Sequence, residues 1–210
     1  MALTCLIFDC DGVILESVSV KTRAFARLAE PFGPEAAERL LMYHRAHGGV
    51  SRYKKFEWLY RAVLGREITR TELEALGRRF AELAFEEVRR CDLVPGVEAV
   101  LARWKGRTPM YVCSGAPHGE LNAILEGRGL HHYFAGVFGS PPAKAELLRD
   151  IIRLAGVDPA SAVMVGDSVT DLDAAAAAGT LFYGRGDELR GGSFPWGEDL
   201  TGLNDWLASL

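Results

Sequence analysis

The sequence predicts an α/β fold: a parallel sheet sandwiched by helices, with an all-helical insertion after the first strand. Three observations carry that expectation. An apolar run over residues 3–8 ends abruptly in Asp9, Asp11 and Gly12. Buried strands of open α/β sheets deliver functional groups at their carboxyl ends in this way. From about residue 93 onward, short apolar runs alternate with helical patterns, as right-handed βαβ units do. Between these parts, residues 16–92 show helical periodicity and no convincing buried strand.

The first strand is short and apolar, which suits burial on both faces. Two carboxylates at its end repel unless a cation or a proton intervenes. The pair is therefore a divalent-metal site or a proton-sharing dyad, and Gly12 lets the backbone leave the strand sharply. An ordinary Asp-rich turn capping a helix would use the same residue types, so the rest of the chain has to decide.

In the insertion, apolar residues recur at helical spacing over 20–29, 36–43, 56–64 and 73–88. Pro34 suits a first helical turn. Thr69-x-x-Glu72 has the form of a capping box and starts the last of these helices. Gly48-Gly49 and Gly65 punctuate the segment. Because the insertion interrupts a sheet, its two ends must return to nearly the same place.

After Pro95-Gly96 the expected order is a helix over 97–104, a strand over 110–113, a helix over 118–127 and a weak strand over 136–138. A helix over 143–155, a strand over 162–165, a helix over 170–178 and a strand over 181–183 follow. A helix over 200–207 closes the chain. The alanine run 174–178 fits a closely packed helix, and Trp196 and Trp206 read as packing residues.

Composition bounds the function. The 210 residues carry 28 acidic against 24 basic side chains, a net charge of -4. That balance excludes a basic nucleic-acid surface. No apolar run is long enough to span a bilayer. The four cysteines, Cys5, Cys10, Cys91 and Cys113, show no CxxC pair and no disulfide framework. They read as reduced thiols of a cytoplasmic protein. Cys10 lies between two acids, which discourages its thiolate. Oligomeric state is not legible.

Three strand ends gather chemistry on one edge of a parallel sheet. The first gives Asp9 and Asp11. The strand over 110–113 gives Ser114 and Gly115, whose N–H groups are expected to open a helix and receive an anion. The strand over 162–165 gives Asp167, with Asp171 one helical turn on. Four carboxylates call for a hard cation, and Mg²⁺ fits best. Lys144 starts a helix nearby and offers a charge for the anion. A solvated lysine is the plainer reading of that residue taken alone.

With these residues in view, the chain resembles the haloacid dehalogenase-like superfamily, in its phosphatase branch with a helical cap, which includes phosphoglycolate phosphatases and β-phosphoglucomutases. Asp9-Cys10-Asp11-Gly12-Val13 matches the first motif of that family, Ser114 the second and Lys144 the third. Gly166-Asp167-Ser168-Val169-Thr170-Asp171 matches the fourth, and the order agrees. The resemblance implies a Rossmann-like core at 1–15 and 93–210 and an all-helical cap domain at 16–92. It implies a nucleophile at Asp9 and an acid–base at Asp11, with Mg²⁺ held by Asp9, the Asp11 carbonyl and Asp167. Asp171 would support that set. Ser114, Gly115 and Lys144 would hold the phosphoryl group of a small phosphorylated metabolite. Asp11 favours phosphate esters, because the dehalogenases and the phosphonate-cleaving members lack it. Sugar phosphomutases keep it and are the alternative; a non-catalytic binding member is another. The basic stretch 44–56 would reach over the catalytic edge, with Arg52 or Arg45 meeting a second anionic group of the substrate. A solvated basic helix face with a glycine turn is the plainer reading there. His118 would open a helix, and His131-His132 would lie on the surface.

Overall fold

The structure is a computed structural model that describes residues 3–210. Strands β1 (Cys5–Phe8), β2 (Met110–Pro117), β3 (Gly136–Ser140), β4 (Ala162–Gly166), β5 (Leu181–Arg185) and β6 (Trp196–Gly197) form one sheet in the order β3-β2-β1-β4-β5-β6. Every neighbouring pair is parallel. The first strand thus lies inside the sheet, with β2 and β4 on its flanks.

Side-chain alternation along the strands builds two apolar layers. Leu6 and Phe8 of β1, Met110 and Val112 of β2, and Val163 and Val165 of β4 face one layer. Cys5, Ile7, Tyr111, Cys113, Ala162 and Met164 face the other. The first layer is closed by α5 (Val97–Trp104), α6 (His118–Gly127) and α9 (Leu203–Ala208), and the second by α7 (Lys144–Ala155) and α8 (Val169–Ala178). Ala174 and Ala175 of α8 are buried in that second layer, where the alanine run lets the helix lie close.

The insertion folds as α1 (Val18–Ala29), α2 (Pro34–Ala46), α3 (Arg52–Trp58) and α4 (Arg70–Arg90). Thr69 caps α4 as expected: its hydroxyl accepts from the Glu72 N–H at 3.3 Å, and Glu72 accepts from the Thr69 N–H at 2.9 Å. Phe25 of α1 packs against Phe56 and Phe80, with ring centroids 6.0 and 4.6 Å away. Truncating a phenylalanine so placed costs about 3–5 kcal/mol. The two chain crossings meet as the topology requires. The Glu16 N–H donates to the Asp92 carbonyl at 2.9 Å, and the Val94 N–H to that of Ile14 at 3.1 Å.

Some boundaries differ from those expected. Helix α3 starts at Arg52 instead of 56, because its first turn buries Arg52 and Lys55, which an apolar count passes over. A π-turn, Leu59–Val63, continues it. Strand β2 runs on to Pro117, with a register shift between Ser114 and Pro117. Gly139 of β3 permits this approach, since a Cβ there would lie 2.5 Å from the Ala116 carbonyl oxygen. Strand β6 has two residues, too few to show a period. Its Trp196 indole donates to the Gly186 carbonyl at 2.7 Å. No helix among the described residues is long and apolar enough to cross a membrane.

Candidate active site

Asp9 leaves β1 while still in the ladder, its N–H donating to the Val165 carbonyl at 2.9 Å. Its Oδ1 accepts from the Cys10 N–H at 2.7 Å, and its Oδ2 lies 2.9 Å from Lys144 Nζ. The same ammonium donates to Asp171 Oδ1 at 2.6 Å. Asp171 Oδ2 accepts from the Ser168 hydroxyl at 2.6 Å and the Ser168 N–H at 3.2 Å. Both oxygens of Asp171 are therefore engaged within the protein, and the residue serves at once as the third residue of α8 and as the seat of Lys144.

Asp11 turns the other way. Its Oδ1 accepts from the Ser17 hydroxyl at 2.5 Å and its Oδ2 pairs with Lys21 of α1. Burial works to raise the Asp11 pKa, but Lys21 and Ser17 more than offset it and hold the carboxyl below its usual range. Burial raises Asp9 to about 7, with Lys144 opposing and Asp171 and Asp11 assisting. Cys10, between them, is pushed well up by burial and then by both acids, so its thiol stays protonated.

Asp167 faces Asp9 and Asp171 across the same edge, and one oxygen of each lies within 4.8 Å of the others. Gly12 makes room for it: a Cβ at that position would fall 2.0 Å from Asp167 Oδ2. Burial, then Asp171 and Asp9, push the Asp167 carboxyl well up. Lys144 pairs with Asp9 and Asp171 and, among the described residues, leaves Asp167 without a cation in contact, and the donors are all hard oxygens. That set fits a hard divalent cation such as Mg²⁺.

Ser114 is fully buried, and its hydroxyl accepts from the Ala116 N–H at 3.1 Å. No helix N-terminus follows it directly, contrary to the expectation from sequence. The strand continues through Gly115 to Pro117, and α6 begins only at His118. The N–H groups beside Ser114 are those of a strand end, and His118 is exposed.

The loop between α2 and α3 lies on this edge. A Cβ on Gly115 would meet the Gly49 carbonyl oxygen at 2.0 Å, and one on Gly48 would meet Ser168 Cβ at 2.8 Å. A cavity of about 290 Å³ remains between the insertion and the sheet edge. Asp9, Asp11, Ser114 and Asp167 line it together with Phe25, Phe80 and Val88.

Arg52 also lines the cavity, but its charge is engaged: the guanidinium pairs with Glu120 of α6 and lies 5.1 Å from the Phe80 ring centroid. Arg45 is exposed at the rim. Three residues not singled out in sequence complete the wall. Lys55 Nζ lies 2.9 Å from His44 Nδ1, and His44 Nε2 lies 3.1 Å from the Thr22 hydroxyl. Burial, then Lys21, bring Lys55 down to about 7, and burial with Lys55 holds His44 to about 3. A signal for Lys55 exists: Arg52, Lys55, Phe56 and Leu59 form an i, i+3, i+4, i+7 stripe, the pattern of a buried helix face.

An all-parallel sheet with acids at its central strand ends and a helical insertion over them defines a Rossmann-like α/β scaffold with a covered acidic edge. The chain belongs to the haloacid dehalogenase-like hydrolase family, whose sequence profile matches residues 3–179. It is 32% identical to a phosphoglycolate phosphatase of Rhodospirillum rubrum over 219 aligned positions, covering 96% of this chain and 90% of that one. It is 28% identical to the fructose-1-phosphate phosphatase YqaB of Escherichia coli, over 83% of this chain and 92% of the other. A solved β-phosphoglucomutase from Clostridium difficile superposes with a TM-score of 0.80 at 18% identity, covering 100% of this chain and 96% of that one. At that identity the likeness speaks for the fold.

Proposed function

We propose that the chain is a Mg²⁺-dependent phosphatase that hydrolyses a small phosphate monoester through an aspartyl-phosphate on Asp9. The observation that supports it best is the division of labour between the two acids of one turn. Asp9 faces Lys144 and the Asp167 cluster, whereas Asp11 faces Lys21 and Ser17. One is set among groups that hold a phosphoryl dianion, and the other among groups that manage a proton.

The Asp9 carboxylate, the Asp11 backbone carbonyl and Asp167 would hold the metal, with Asp171 supporting them through Lys144 and Ser168. The ion supplies charge neutralisation for the phosphoryl oxygens and for the acids around them. Ser114, the Gly115 N–H and Lys144 orient the phosphoryl group beside Asp9. An Asp9 oxygen attacks phosphorus, the bond to the leaving oxygen breaks, and Asp11 donates its proton to that oxygen. The incoming dianion favours this protonated form of Asp11 against the pull of Lys21. In the second step the Asp11 carboxylate takes a proton from water, whose oxygen attacks phosphorus. The bond to Asp9 breaks and inorganic phosphate leaves. Splitting one displacement into two is the general gain of a covalent route, and positioning with charge stabilisation does the rest. Residues 16–92 act as the cap that excludes water while this happens.

The likeness to phosphoglycolate phosphatases makes 2-phosphoglycolate the first ester to try. Asp9→Asn removes the nucleophile without changing side-chain size. It should keep the circular dichroism and thermal transition of the parent and lose turnover by at least about 10⁴-fold. Acid-quenched parent enzyme should carry a phosphoryl group on the peptide containing Asp9. Substantial turnover by the variant, or a phosphoryl group elsewhere, overturns the assignment.

A further inference from the structure

We propose that Lys55, held in place by His44 and Thr22, receives a carboxylate on the alcohol part of the substrate, so that the preferred ester is a phosphorylated hydroxy acid and not a neutral sugar phosphate. The proposal rests on the phosphatase reading above and narrows it.

Lys55 is 3% exposed and lines the same cavity as Asp9 and Asp11. The other buried or half-buried cations of that wall have carboxylate partners: Lys21 has Asp11, and Arg52 has Glu120. Lys144, which does not line the cavity itself, pairs with Asp9 of the wall and with Asp171. Among the described residues, no carboxylate lies within ion-pair distance of Lys55. Its partners are the neutral His44 ring at 2.9 Å and the His44 carbonyl at 3.5 Å.

The hydrogen-bond directions around it follow from chemistry. An ammonium only donates, so His44 Nδ1 accepts from Lys55. The ring proton is then on Nε2, which donates to the Thr22 hydroxyl at 3.1 Å. That hydroxyl donates in turn to the Val18 carbonyl at 2.9 Å. Each acceptor is neutral, and the chain ends on a helix backbone. It aims the ammonium without neutralising it. A buried cation with neutral partners alone is costly, and a ligand anion offsets that cost.

Phe25, Phe80, Val88 and Ile124 make part of the wall apolar, and its glutamates are engaged: Glu120 pairs with Arg52, and Glu188 accepts from the Val169 N–H at 3.3 Å. Discrimination therefore rests on Lys55, whose charge a carboxylate matches and a sugar hydroxyl does not.

The test is phosphate release by the full chain with Mg²⁺ from 2-phosphoglycolate, glycerol 2-phosphate, fructose 1-phosphate and p-nitrophenyl phosphate. The parent enzyme should favour 2-phosphoglycolate over glycerol 2-phosphate and fructose 1-phosphate by about 10-fold or more in kcat/KM. Lys55→Met should lower kcat/KM for 2-phosphoglycolate about 100-fold, mainly through KM, and change p-nitrophenyl phosphate less than about threefold. Lys55→Arg should recover part of the loss. The parent ranking tests the idea even if Lys55→Met does not fold. A preference for the neutral esters, or an equal loss on every ester in a folded Lys55→Met, overturns this proposal and leaves the phosphatase standing. No release from any ester overturns both.

Discussion

One lysine can neutralise only so many acids, and Lys144 already lies 2.9 Å from Asp9 and 2.6 Å from Asp171. Asp167 is the carboxylate left over, set against Gly12 where only a hydrogen fits. Asp167→Asn relieves a like-charge contact and removes a proposed metal ligand in one change. In chelator the variant should melt higher than the parent, by about 2–4 °C for each kcal/mol of repulsion relieved. Added Mg²⁺ should raise the parent transition by linkage and leave that of the variant in place. Thermal scans with EDTA and with Mg²⁺ check both; an unchanged Mg²⁺ response in the variant removes Asp167 from the metal set. At this scale the sequence was legible wherever residues follow a strand end. Asp9, Asp11, Ser114 and Asp167 share one edge because the parallel sheet puts them there. Lys21 and His44 were not legible, because they reach the cavity from helices and their place depends on how the insertion packs; Lys55 was legible only as part of a buried helical stripe. Arg52 was legible as a cation of the wall, but its pairing with Glu120 joins residues far apart in sequence and needs the structure.

The element that joins helices to chemistry is the turn at 47–51. The Gly49 carbonyl comes so close to Gly115 that no side chain fits there, and a Cβ on Gly49 would crowd Lys144 Nζ at 3.0 Å and Ser168 Oγ at 3.1 Å. Gly115→Ala puts a methyl group 2.0 Å from the Gly49 carbonyl oxygen, so the turn must lift from the sheet edge. Gly115 does not adopt a positive φ, and alanine suits its backbone. The variant should therefore fold and melt like the parent but lose about 10²-fold in kcat/KM, the usual penalty of a misplaced catalytic wall. Full activity in a folded Gly115→Ala would show that the turn need not close on the edge during turnover. Helices α5 and α6 match the expected 97–104 and 118–127, because their apolar spacing and bounding Pro-Gly and Pro residues are local. The tail of β2 does not, because Gly115–Pro117 is extended only through its partner β3.

At the scale of the molecule, the first apolar layer does not stop at the sheet. It runs from Leu6 and Phe8 through Val13, Ile14 and Leu15 into Phe25, Phe80 and Val88 of the insertion. The crossings that carry it are also tied to each other, Glu16 to Asp92 and Ile14 to Val94. The insertion is thus seated on the core by apolar contact and joined to it by a paired strap. The α/β class and the helical insertion were both legible, since each rests on periodicity over long stretches. The depth of their shared core was not, since it is a property of the packed whole. On the proposed reading, this assembly hydrolyses a phosphate ester at Asp9 with the help of Mg²⁺. Phosphate release from 2-phosphoglycolate, measured for the parent and Asp9→Asn with Mg²⁺ and with EDTA, tests it most directly. The parent should release phosphate with Mg²⁺ and not with EDTA, and Asp9→Asn should release none in either condition. Release that survives EDTA, or that survives loss of the Asp9 carboxylate, would contradict it.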